Sequence, residues 1–274
     1  VARRLAARTG ASVELLTVFE PRIPPPLSAR ARPSPAQCEQ PDRKSAAELL
    51  VRVRRQRRSV APDVRWPTRF EVGYPPFMIA ETARQMQANL IILGIGREHP
   101  DARRLGSETA LRVAHYGDVP VLAIAPHADR PLRNALFVAE GTSRVDAIRL
   151  AFEVLERPSR LWVAYPRERK ADVEVATIAA HHQAFLSELR IPPGVQLEHA
   201  PVDARDSAEL VRFAHEHQVD LIVMPVRGRS FEERQLIHNI VAPILRSSHC
   251  SVLAVPERDN GKGGEPRRPP HGSF

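Results

Sequence analysis

Residues 89–94, Asn89-Leu-Ile-Ile-Leu-Gly94, return 131 positions later as Asp220-Leu-Ile-Val-Met-Pro225. Four apolar residues between a polar residue and a turn former read as a strand buried on both faces, the kind that fills parallel sheets. A second pair keeps the same spacing, Val121-Leu-Ala-Ile124 against Val252-Leu-Ala-Val255. Gly96 and Gly228 stand 132 apart, so the register holds to one residue over the whole segment. The chain is an internal duplication, and its 274 residues suit two domains of ordinary size.

Outward from these anchors, strands alternate with helices, the pattern of a mostly parallel sheet covered on both faces. The first copy is expected to hold strands at 13–19, 68–72, 89–94 and 119–125, with helices at 43–58, 76–88 and 107–115. The second is expected to hold strands at 133–139, 160–165, 195–201, 220–225 and 250–255, with helices at 143–156, 171–189, 207–217 and 238–247. The fold class is α/β, two tandem doubly wound parallel-sheet domains of Rossmann-like type. Residues 1–126 form the first domain, 127–257 the second and 258–274 a tail. Superposing the copies sets residues 1–9, which read as an amphipathic helix closed by Gly10, against the end of helix 143–156. The first copy thus lacks its opening strand and most of its first helix, and the chain is expected to be truncated at its start. Residues 20–41 contain seven prolines and read as an extended loop. Residues 259–274 have no hydrophobic period and read as disordered.

Hydrophobic residues at 43% and charged ones at 26% describe a chain able to bury a core. Lys and Arg number 40 against 32 Asp and Glu, a net charge of +8 that invites a nucleic-acid partner. Aromatic residues at 5% leave few rings for base stacking, and the run Arg52-Val-Arg-Arg-Gln-Arg-Arg58 is the solvated face of a helix, so nucleic acid is disfavoured. Cys38 and Cys250 are isolated, which argues for a reducing, cytoplasmic setting and against a disulfide framework or thiolate metal site. No apolar run is long enough to cross a bilayer.

Chemistry concentrates after the strand at 89–94. Gly94-Ile-Gly96 ends it, and Gly106-Ser107 follows Gly96 after nine intervening residues, at the head of the expected helix 107–115. Glycines at a strand end permit close backbone approach, and free amides at a helix start with a Ser hydroxyl make a phosphate site. The competing explanation is an ordinary strand-end turn followed by an ordinary Ser near a helix N-terminus. His215 and His217 point to different faces of a helix, and His181-His182 lies on the long variable helix of the second copy, so neither pair reads as a metal site. No Ser-His-Asp order or paired carboxylates stand out, so no enzyme is expected, weak ATPase activity being the one residual chemistry.

In combination these segments resemble a tandem universal stress protein over about 250 residues. The resemblance rests on Gly94, Gly96, the nine-residue gap, Gly106-Ser107, Pro120-Val-Leu-Ala-Ile124, Phe137-Val-Ala-Glu140-Gly-Thr-Ser143 and Gly73-Tyr-Pro. It implies an adenine nucleotide alpha hydrolase-like fold and ATP, with Mg, as ligand of the first copy. Val18 and Leu93 would lie by the adenine and ribose, and Gly94, Gly96, Gly106, Ser107 and Thr109 around the phosphates. It also implies pairing between the last strands of the two copies, an intramolecular pseudo-dimer, with a homodimer or another protein as further partner. The family's spacing is Gly-x2-Gly, one residue longer than Gly94-x-Gly96. The second copy keeps the spacing but substitutes Pro225, His238 and Asn239 for three signature positions and Glu140 for an Asp, so it reads as a structural domain. Two functions stand side by side: a nucleotide-binding stress sensor, and a scaffold of the same family that binds none.

Overall fold

Alternation along single strands determines how this chain buries itself. In a computed structural model, which describes residues 1–20, 51, 66–95, 100–126, 130–139, 144–165, 189–226, 241–247 and 250–256, with backbone alone for 100–107, 144 and 246–247, the first half runs α1 (Ala2–Thr9), β1 (Leu15–Phe19), β2 (Thr68–Val72), α2 (Pro75–Gln85), β3 (Ile91–Gly94), α3 (Pro100–Tyr116) and β4 (Val121–Ile124). The second half runs β5 (Asn134–Val138), α4 (Arg144–Val154), β6 (Ser159–Tyr165), β7 (Val195–Asp203), α5 (Ser207–Glu216), β8 (Leu221–Val226), α6 (Ala242–Ser247) and β9 (Ser251–Pro256).

Seven strands form one sheet in the order β3-β4-β9-β8-β5-β6-β7. All neighbours are parallel except β4 and β9, which run antiparallel with Leu122 opposite Leu253. That single antiparallel joint makes the two halves one sheet. Successive side chains leave a strand on opposite faces. Val121, Ala123, Leu136, Ile222 and Val252 therefore enter the core under α3, α5 and α6, while Leu122, Phe137, Val223 and Leu253 enter the core under α4. Leu5 of α1, and Val1 just before it, pack against this second core.

The α1 helix ends where expected, Gly10 adopting the left-handed conformation (φ 69°) that closes it. Its arginines hold it to the second half. Arg4 pairs with Glu156 at 2.8 Å and donates to the Arg130 carbonyl, and Arg8 donates to the carbonyls of Glu153 and Val154 at the carboxyl end of α4.

The strand expectations hold to within about two residues at each end. One helix does not. The helix expected at 107–115 spans Pro100–Tyr116, seven residues longer at its start. Proline is favoured in a first helical turn, and Ala102, Arg103, Arg104 and Leu105 all propagate helix well. The helix expected at 43–58, apart from Val51, the one at 171–189, save coiled Leu189, the loop from residue 21 and the tail at 259–274 lie outside the described residues.

Cys250 is buried just before β9, its thiol donating to the Val219 carbonyl at 2.9 Å. Burial first, then the Asp220 carboxylate, push it up to about 12 from an ordinary 9.0. Because the folded state resists ionising this thiol, its contribution to stability is complete below pH 9.0 and lost as pH rises toward about 12. In a Cys38→Ser background the native chain is expected to resist thiol reagents at pH 8 and to react fully in denaturant. Rapid native labelling would show that Cys250 is reachable.

Candidate functional site

In an open parallel sheet, ligands settle outside the carboxyl ends of the strands. Val18 lies one residue from the end of β1, in register with Glu71 of β2. Leu93 and Gly94 close β3, in register with Ala123 and Ile124 of β4. A Cβ added to Gly94 would meet nothing within 4 Å, so packing does not explain that glycine, and there is open room beside the backbone. Gly96 lies outside the described residues.

The early start of α3 moves the other expected contacts. Gly106 and Ser107 fall in its second turn rather than at its head, and Thr109, half-buried, in its third. Amides in a second turn are ordinarily given to carbonyls four residues back. At about 1.5 Å per residue, Thr109 is roughly 14 Å along the helix from Pro100. The structure therefore brings Val18, Leu93 and Gly94 to strand ends and sets Gly106, Ser107 and Thr109 along a helix.

A link between α2 and α3 has no local sequence signal. Gly73 has φ +148°, and a Cβ there would come within 2.9 Å of Met78 Cγ, so glycine is required before α2. Tyr74 follows at the N-cap and makes no capping bond. Its hydroxyl instead accepts from Arg112 of α3, whose guanidinium also reaches Glu108 at 2.5 Å and lies 5.9 Å from the Tyr74 ring centre. The Glu108 carboxylate, aided by Tyr74, holds the Arg112 guanidinium above its ordinary range despite partial burial. These groups are 38 residues apart, which explains their silence in the sequence.

In the second half, Pro225 sits in β8 beyond the last β5 pairing at Val223, where the lost N–H interrupts no β5 rung. Glu140, Gly228, His238 and Asn239 lie outside the described residues, as do Cys38, His181, His182 and the run 52–58. His217 stacks on Phe213 with ring centres 4.1 Å apart. Among the described residues no group of three or more His, Cys, Asp or Glu side chains is placed to hold a metal, and no helix is long and apolar enough to cross a membrane.

Compared with known families, the chain matches the Universal stress protein family over residues 1–125 and again over 132–256. The chain belongs to the universal stress protein family. Sixty-two of its residues are 32% identical to Universal stress protein MJ0531 of Methanocaldococcus jannaschii, and the match spans 23% of this chain and 36% of that protein. Solved structures of the family share the fold. A universal stress protein from Pseudomonas aeruginosa superposes with a TM-score of 0.58 at 16% identity, covering 93% of this chain and 86% of the other. One from Archaeoglobus fulgidus gives 0.55 at 15% identity, covering 80% and 78%. A functionally unknown Pseudomonas aeruginosa protein, PA1789, gives 0.54 at 16% identity, with 93% and 86% covered. The universal stress protein fold of this chain, α/β with Rossmann-like sheets, is thereby established.

Proposed function

We propose that this universal stress protein acts in stress adaptation, in the cytoplasm, by binding partners rather than by turning over substrate. The observation that carries this reading is the start of α3 at Pro100, which places the amides of Gly106 and Ser107 inside a helix instead of at its open end. Phosphate binding at a helix start depends on amides that have no intrahelical partner.

A nucleotide-binding sensor is the second reading, and Gly94 favours it. Its open flank at a strand end suits the approach of an ATP phosphate, with Mg, provided the first turns of α3 unwind to Gly106. Calorimetric titration with Mg-ATP separates the two, run beside a Gly106→Gln, Ser107→Ala variant. The interaction reading expects no heat from either protein. Binding at about 1 μM, worth about −8 kcal/mol, that vanishes in the variant would replace it with the sensor.

A further inference from the structure

The nucleotide contacts considered above gather at the carboxyl ends of strands in the first half. The amino ends of the strands in the second half hold a cavity of their own. It has a volume of about 710 Å³ and is lined by Arg149, Leu150, Phe152 and Glu153 of α4 and by Arg190 and Pro192 ahead of β7. Small-molecule sites run from roughly 300 to 1,000 Å³, so the space suits a compact organic ligand.

Both walls are held from within the second half. On α4, Ile148, Ala151, Phe152 and Leu155 are buried against the sheet, which leaves Arg149 and Glu153, one turn apart, together on the exposed side. The helix ends against the amino end of β5, where the Glu156 amide donates to the Leu132 carbonyl at 2.8 Å. The opposite wall is a stiff turn. Leu189 is buried in the same core and fixes the chain just before Arg190. Pro192 and Pro193 restrict the backbone, the Val195 amide donates to the Pro192 carbonyl at 3.2 Å, and Gly194 takes the left-handed region at φ +81°. The Gly194 carbonyl in turn accepts from the Ser159 amide at 2.9 Å, which ties the turn to β6. A cavity with walls fixed in this way is preformed, and little ordering cost is left for a ligand to meet.

Its polar groups are unspent. Among the described residues, the side chains of Arg149, Glu153 and Arg190 make no hydrogen bond or ion pair. The carboxyl end of α4 would ordinarily draw a cation, but Arg8 already donates to the carbonyls of Glu153 and Val154 there. Two guanidiniums against one carboxylate leave the cavity net positive, while Leu150, Phe152 and Pro192 give it an apolar floor.

We propose that this cavity binds a small amphipathic carboxylate, its head group held by Arg149 and Arg190 and its hydrocarbon body laid against Leu150, Phe152 and Pro192. The guanidinium fork matches a carboxylate, to which it donates two parallel hydrogen bonds. Glu153 selects among anions: one net positive charge suits a monoanion, and the carboxylate repels a dianionic head group such as a phosphate monoester. The apolar floor gives the body of the ligand somewhere to leave water. This inference does not depend on whether a nucleotide binds.

The test is a calorimetric titration of the full chain with decanoate, at concentrations where decanoate is monomeric. Saturable binding at one site is expected. Arg149→Gln and Arg190→Gln, both at exposed positions, are each expected to weaken it by about tenfold or more while leaving the urea midpoint unchanged. Two further arms leave the protein unaltered. Decyltrimethylammonium, with the same tail and a cationic head, and acetate, with the head and no tail, are both expected to give no saturable heat. Absence of decanoate binding, binding that both substitutions leave unchanged, or equal binding of the cationic amphiphile overturns the proposal. Binding to phosphatidylglycerol vesicles without binding to free decanoate would also overturn it, by assigning the arginines to a lipid surface.

Discussion

Leu253→Ala is expected to lower the free energy of unfolding by about 2–5 kcal/mol and to do so for both halves in one transition. Leu253 has no exposed surface and sits in β9, directly opposite Leu122 of β4, which has none either. The two meet at the antiparallel joint, and both enter the core that holds Phe137, Ile148 and Phe152 of the second half. Truncating either leaves a cavity that neighbours from both halves must line. Leu122→Ala should therefore cost a similar amount, and the double variant less than the sum, because contacting residues couple. Chemical denaturation followed by probes in each half checks this: in a Trp66→Phe background Trp162 reports the second half, and a label at position 116 the first. Two separate transitions, with only the second half weakened, would show that the joint carries no stability between the halves.

The joint follows from residues whose meaning was open in the sequence. Val121-Leu-Ala-Ile124 and Val252-Leu-Ala-Val255 are short and apolar throughout, and a buried strand with equal partners on each side imposes that pattern. The repeat at Asn89 and Asp220 likewise set most strands to within two residues, since buried parallel strands carry a strong continuous signal. The start of α3 was hidden by a conflict between two local signals. Gly106-Ser107 resembles a helix head, yet Pro100-Asp101 is the better one, and helix-forming residues join the two without a break. Of the candidate site, Val18, Leu93 and Gly94 were legible as strand ends because strand position is local. The bond between Tyr74 and Arg112 was not, since nothing near either residue specifies the other.

The same leucine position is expected to be worth very different amounts in the two halves. Leu15 of β1 serves β2 as Leu161 of β6 serves β7, each at the first apolar position of its strand. Leu161 is fully enclosed, whereas Leu15 is only half-buried. Leu161→Ala should cost about 2–5 kcal/mol, the transfer loss plus the cavity left among Phe137, Ile148 and Val163. Leu15→Ala should cost on the order of 1 kcal/mol, because part of the side chain is already in water and the edge can relax. Urea titrations of the two variants against the parent chain measure both quantities, with equal slopes confirming that the unfolded states are comparable. Equal costs would mean that β1 is already as enclosed as β6.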